Sequence, residues 1–154
     1  MTTKISKFDI EYSFWLEEMH YTFWRRVDAS INIALIILGT SVAASLQLDF
    51  LVGLAVAILA AINVVIQPLK KSMQARSQAE KFGKLLSVMD DHEAKEFNNM
   101  VHTASEHSSD PLGAITALAF NRAAIRLGLK PNYEYTFINK LVGHFIGDLP
   151  DSRP

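Results

Sequence analysis

Residues 29–67 read ASINIALIILGTSVAASLQLDFLVGLAVAILAAINVVIQ, and Asp49 is the one charged residue in the stretch. It divides into two apolar halves, Ala29 to Leu48 and Phe50 to Gln67. At about 1.5 Å of rise per residue, some 18–20 helical residues cover the roughly 30 Å hydrocarbon core of a bilayer. Each half is long enough to cross, and Gln47-Leu48-Asp49 is only long enough to reverse the chain. A soluble helix keeps one polar face. Here Asn32, Thr40, Ser41, Ser45 and Gln47 are scattered among Ile, Leu, Val and Ala, so no helical wheel has such a face. The stretch reads as a transmembrane helical hairpin. The competing reading is a pair of core helices in a soluble bundle, which the modest mean hydropathy of +0.14 would suit.

The flanks orient the hairpin. Arg25 and Arg26 precede the first half, while Lys70, Lys71 and Arg76 follow the second. Short flanks rich in Lys and Arg stay on the cytoplasmic side, so both termini are expected there. Tyr21, Phe23 and Trp24 lie where an interfacial aromatic belt belongs.

The remaining composition excludes several functions. A formal charge of -1 gives no electrostatic basis for nucleic-acid binding, and the absence of cysteine excludes disulfides and thiol chemistry. The opening MTTKISKFDIEYSFW lacks the pattern of a signal peptide, so the first half is expected to be an uncleaved anchor. At 154 residues one all-α unit is expected in three parts. These are an N-terminal aromatic helix (residues 1–28), the hairpin (29–67) and a cytoplasmic helical stalk and bundle (68–150).

From about Ser6 to Arg26 the apolar residues Phe8, Tyr12, Trp15, Met19 and Phe23 recur at helical spacing, with Asp9, Glu11, Glu17 and Glu18 between them. Membrane-surface helices favour Lys and Arg on the polar face. An acidic face therefore favours packing on the C-terminal bundle. After Pro68 a polar helix is expected to continue the second span as a stalk, breaking near Asp90-Asp91-His92. Asp110 and Pro111 read as the N-cap and first residue of a helix that ends at Gly128. Tyr133 to Gly147 reads as a closing helix whose apolar face packs on the bundle.

Within the hairpin, Gly53, Ala57 and Ala61 form a small-residue ridge, and Gly39 with Ala43 a shorter one. Such ridges let helices approach closely in lipid, within one chain or between chains. Asn32 and Asn63 fall at similar depth. They suit either an interhelical hydrogen bond or, with Thr40 and Ser41, the polar lining of an oligomeric pore. No phosphate-binding glycine loop, nucleophile elbow or zinc-protease motif is present, and no acid–base or nucleophile constellation points to an enzyme. No cofactor is implied. The pair His102 and Glu106 and the run Asp90-Asp91-His92-Glu93 read as solvated helix surface rather than metal ligands. Asn121 and Arg122 stand in an otherwise apolar helix. They suit a cap or a pairing with a buried acid, and a ligand contact is the alternative.

Two signatures carry a resemblance. Trp24-Arg25-Arg26-Val27-Asp28 leads into the first span, and Asp110-Pro111 is followed by Ala117-Leu118 and Asn121. With the order of aromatic helix, joined spans and charged stalk, the chain resembles the SLATT-like group of small bacterial and prophage two-transmembrane effectors. The resemblance implies a protein of the bacterial inner membrane that forms homo-oligomers and permeabilises the membrane in defence. The sequence shows no fused sensor, so a separate sensor protein or signalling ligand is implied. Phage holins are a second class, but they carry little beyond their spans. A third class is a scaffold that the hairpin merely anchors.

Overall fold

The computed structural model describes residues 5–43 and 49–150. The described chain is all-α: helices α1 (Lys7–Ala43), α2 (Asp49–Ile66), α3 (Pro68–Val88), α4 (Ala94–Ser105), α5 (Gly113–Arg126) and α6 (Phe137–Ile146). A 3-10 turn at Met89–Asp91 separates α3 from α4, at the break that the acidic pair suggests. The turn expected at Gln47-Leu48 lies outside the described residues.

Helix α1 carries the aromatic segment and the first apolar half without interruption. Its 37 residues make it about 55 Å long. Ser6 starts it, its Oγ accepting the Asp9 N–H at 3.2 Å. The aromatic half is the spine of the bundle. Along it α3 runs antiparallel, with Phe14 opposite Gly83, Tyr21 opposite Arg76 and Trp24 opposite Lys71. The buried residues of α3 explain the fit: Ser72, Ala75 and Ala79 are small, and Phe82 and Leu85 follow where α4 joins the seam.

Two apolar clusters flank this seam. Ile10, Phe82 and Leu85 meet Phe97, Val101 and Ala104 of α4. On the other side Met19 meets Ile115, Leu118 and Ala119 of α5 and Ile146 of α6, with Trp15, Leu16 and Phe23 against them. The aromatic residues are thus spent on the bundle, as the acidic face suggests.

Three sequence expectations change. The second apolar half does not run straight into α3. Pro68 has no N–H and disfavours right-handed helix at the preceding residue. Gln67 adopts the left-handed region (φ 51°, ψ 57°). The ladder closes around it through Gln67 N–H to Asn63 O and Lys71 N–H to Gln67 O, both 3.1 Å. Helix α5 starts at Gly113, and Asp110 caps nothing, because the residues before it are held by α1. Helix α6 starts at Phe137 rather than Tyr133, where Thr136 and Asn139 form a reciprocal capping box. That box fixes the rotation of α6. Asn139 turns inward and donates to Ala114 O at 2.9 Å. At 100° per residue this turns Phe137, Ile138 and Leu141 outward. Phe137 is 80% exposed. Only the side bearing Val142 and Ile146 packs on the bundle as expected.

Candidate functional site

Among the described residues, the apolar parts of α1 and α2 leave most of their large side chains uncovered. Ile33, Ile36 and Ile37 on α1 and Phe50, Leu51, Leu54, Ile58, Val64 and Val65 on α2 are all exposed. Among the described residues one helical run, from Phe50 through Asp91 and so comprising α2, α3 and the 3-10 turn, includes a stretch long and apolar enough to cross a membrane, and its 18-residue apolar window has no buried residue. A soluble bundle would enclose such a segment. An exposed apolar patch of this extent is of the kind that marks a membrane-facing or protein-facing surface.

Two of the four polar candidates, Asn32 and Asn63, meet at the base of the apolar segments, while Thr40 and Ser41 lie near the far end of α1. Asn32 and Asn63 line one cleft of about 400 Å³ with Asp28, Val64, Gln67, Leu69 and Lys70. The two asparagines are therefore brought together at similar depth. Asn32 nonetheless donates to Asp28 Oδ2 at 3.0 Å, along its own helix. Thr40 is exposed and donates to Ile37 O at 2.8 Å. Ser41 and Ala43 close α1, and their side chains lie outside the described residues. On the small-residue ridges, Gly39, Gly53, Ala57 and Ala61 are exposed. A Cβ built on Gly39 or Gly53 meets nothing within 4 Å. The ridges therefore leave room for an approaching helix and are not consumed by packing of α1 on α2.

The four flanking cations sit at this same level, each differently engaged. Arg26 donates through Nη1 to Phe145 O and so caps the C-terminus of α6. Lys71 lies over the Trp24 ring, 4.5 Å from its centroid, and Arg25 over Tyr21 at 5.2 Å. Lys70 lines the cleft with Asn63.

Below the apolar segments lies a polar seam that leaves little trace in the sequence. Glu17 and His20, within the acidic face of α1, are 1% and 0% exposed. The Glu17 carboxylate accepts the Ser109 N–H at 2.7 Å and the Ser109 O–H at 2.6 Å. His20 Nε2 accepts the Leu112 N–H at 3.1 Å. These bonds fasten the α4–α5 loop to α1 and fix where α5 begins. The trace in the sequence is their spacing of seven and ten residues after Ile10, on one helical stripe.

Burial raises the Glu17 carboxyl above its usual range, partly countered by the Ser109 donors. Burial lowers His20 from 6.5 to about 4. Between those two values the unfolded chain holds a proton on His20 that the fold rejects. Stability from this residue is therefore full above about pH 6.5 and falls towards pH 4, by about 3 kcal/mol. Glu17 acts in the opposite sense: the fold keeps its proton to higher pH than the unfolded chain, so acid offsets part of the loss. His20→Gln retains an acceptor for Leu112. It is expected to flatten the acid decline in denaturant titrations of the detergent-solubilised protein, and an unchanged slope would place the titration elsewhere.

Asn121 and Arg122 are both engaged within the chain. Buried Asn121 accepts the N–H groups of Asn132 and Tyr133 at 3.2 and 3.1 Å and donates to Tyr133 O at 2.7 Å. Arg122 pairs with Asp148 and lies over the Trp15 ring. His102 meets Glu106 at 3.8 Å on an exposed helix face. Among the described residues no group of three or more His, Cys, Asp or Glu side chains is placed to hold a metal ion.

No family model matches the chain, and neither the curated proteins nor the solved structures give a match.

Proposed function

We propose that this chain is a two-span protein of the bacterial inner membrane that oligomerises and permeabilises the bilayer, a SLATT-like effector rather than an enzyme. The observation that carries the reading is the unburied 18-residue apolar window of α2. The apolar part of α1 beside it supplies the second span. Both termini lie on the cytoplasmic side, held by Arg25, Arg26, Lys70 and Lys71. The open ridge of Gly53, Ala57 and Ala61 gives neighbouring copies a surface for close helix contact. Asn32, Asn63, Thr40 and Ser41 supply polar groups for a water path once copies assemble. A separate sensor protein or signalling ligand acts on the cytoplasmic bundle.

Leakage of dye from liposomes holding the purified protein tests this reading. The wild type with its trigger, or at high density, is expected to leak. Asn32→Leu with Asn63→Leu is expected to abolish leakage while insertion persists. Undiminished leakage in that double variant would remove the pore-lining assignment. Gly53→Ile is expected to weaken association between copies, read by crosslinking in the membrane.

One observation favours a second reading, the anchored scaffold. Phe137, Ile138 and Leu141 on α6 form an exposed apolar face that a protein partner could cover. A wild type that inserts, binds a partner through α6 and never leaks would support the scaffold.

A further inference from the structure

We infer that the cavity between α1 and α3 formed by Tyr21, Arg25, Ser72 and Arg76 binds the phosphate of an anionic phospholipid headgroup. The inference rests on the membrane reading above and adds the identity of one ligand.

The cavity measures about 410 Å³. Arg25 from α1 and Arg76 from α3 both lie against the Tyr21 ring, 5.2 and 5.6 Å from its centroid. One aromatic ring therefore holds two guanidinium groups at one site. Glu80 faces Arg76 at 3.3 Å and offsets one of the two charges. Asp28 belongs to the neighbouring cleft, so the cavity itself keeps an excess positive charge. Planar guanidinium forks match the oxygens of a phosphate, and ring stacking leaves them partly ordered before a ligand arrives. Ser72, on the cavity wall, is buried, and Ser77 adds a hydroxyl at its rim.

Depth and apolar surroundings favour a lipid over a soluble phosphate. Arg25 lies four residues before Ala29, about 6 Å along α1 from the start of the apolar stretch. This is headgroup depth on the proposed topology. Leu69 and Met73 line the same cavity and are 53% and 65% exposed. Leu69, three residues after α2 ends, lies where the upper part of an acyl chain would, and Met73, one turn further on, lies beside the glycerol and headgroup. A soluble phosphate site gains nothing from two exposed apolar side chains, whereas a phospholipid covers both.

The test uses the full-length protein in phosphatidylcholine nanodiscs and in nanodiscs with added phosphatidylglycerol. Lipid retention is read by native mass spectrometry, with inorganic phosphate and glycerol phosphate as competitors. Wild type is expected to retain phosphatidylglycerol over phosphatidylcholine. Arg25→Gln with Arg76→Gln is expected to lower that retention by roughly tenfold. A control of equal charge change, Lys84→Gln with Lys95→Gln on the distal part of the bundle, is expected to leave it unchanged. Equal retention in the Arg25/Arg76 variant, or an equal loss in the control, would overturn the assignment. Displacement by millimolar phosphate would also overturn it, in favour of a soluble anion. Wild type that enters phosphatidylcholine discs without preferring the anionic lipid refutes this site and leaves the membrane reading intact. Wild type that enters neither disc refutes both.

Discussion

Phe97→Ala is expected to cost about 3–5 kcal/mol and to release α4 from the bundle. Phe97 is 0% exposed and is the largest side chain that α4 contributes to the cluster with Ile10, Phe82 and Leu85. Val101 and Ala104 are its only buried companions on that helix, each 8% exposed. Neither is large enough to fill the space, and the neighbours belong to α1 and α3, whose antiparallel seam cannot collapse inward. The hydrogen bond from Ile5 N–H to Asn98 Oδ1, at 2.9 Å, would weaken with it. Urea unfolding of the protein in mild detergent, followed by circular dichroism, measures the loss. A change below about 1 kcal/mol would mean that α4 docks through other contacts.

Asn121→Leu is expected to cost about 2–3 kcal/mol, although leucine has the same branching and number of side-chain heavy atoms and the helix around it is apolar. The cost comes from the loop after α5. Asn121 satisfies two backbone N–H groups and one carbonyl of Asn132 and Tyr133, and leucine leaves all three without that partner. Such an asymmetry is typical: an orphaned polar group costs more than a satisfied one contributes. Amide hydrogen exchange at Asn132 and Tyr133 is the specific readout. Faster exchange there, with α5 itself still protected, is the expected pattern. Unchanged protection would show that the loop is held by Phe120 stacking on Tyr133 instead.

The helical elements were legible where one periodic pattern met one clear breaker. The acidic pair Asp90-Asp91 marked the gap between α3 and α4, and Gly128 and Gly147, at φ of 70° and 71°, marked the ends of α5 and α6. What escaped depends on contacts distant in sequence. Asp110 has the chemistry of an N-cap, yet the start of α5 is set by His20, 92 residues away. Glu17 looks solvated by composition and is buried because Ser109 supplies two donors. The apolar face of α6 is real, but the capping box of Thr136 and Asn139 rotates part of it outward. The second signature has a structural explanation in part: Leu118 and Asn121 are fully buried, so those positions serve the bundle. Asn32 and Asn63 share a cleft, as their matched depths suggest, although Asn32 donates to Asp28 of its own helix.

The absence of native cysteine allows the central claim to be probed with single introduced thiols. The decisive position is Ile58, midway along the unburied apolar window of α2, compared with Ser87 on the exposed face of α3. In intact membranes Ile58→Cys is expected to resist a water-soluble maleimide and to react only after denaturation in detergent. Ser87→Cys is expected to react once the reagent reaches the cytoplasmic side. Labelling of Ile58→Cys as fast as Ser87→Cys, in protein that stays in solution without detergent, would place the hairpin in water and contradict the account.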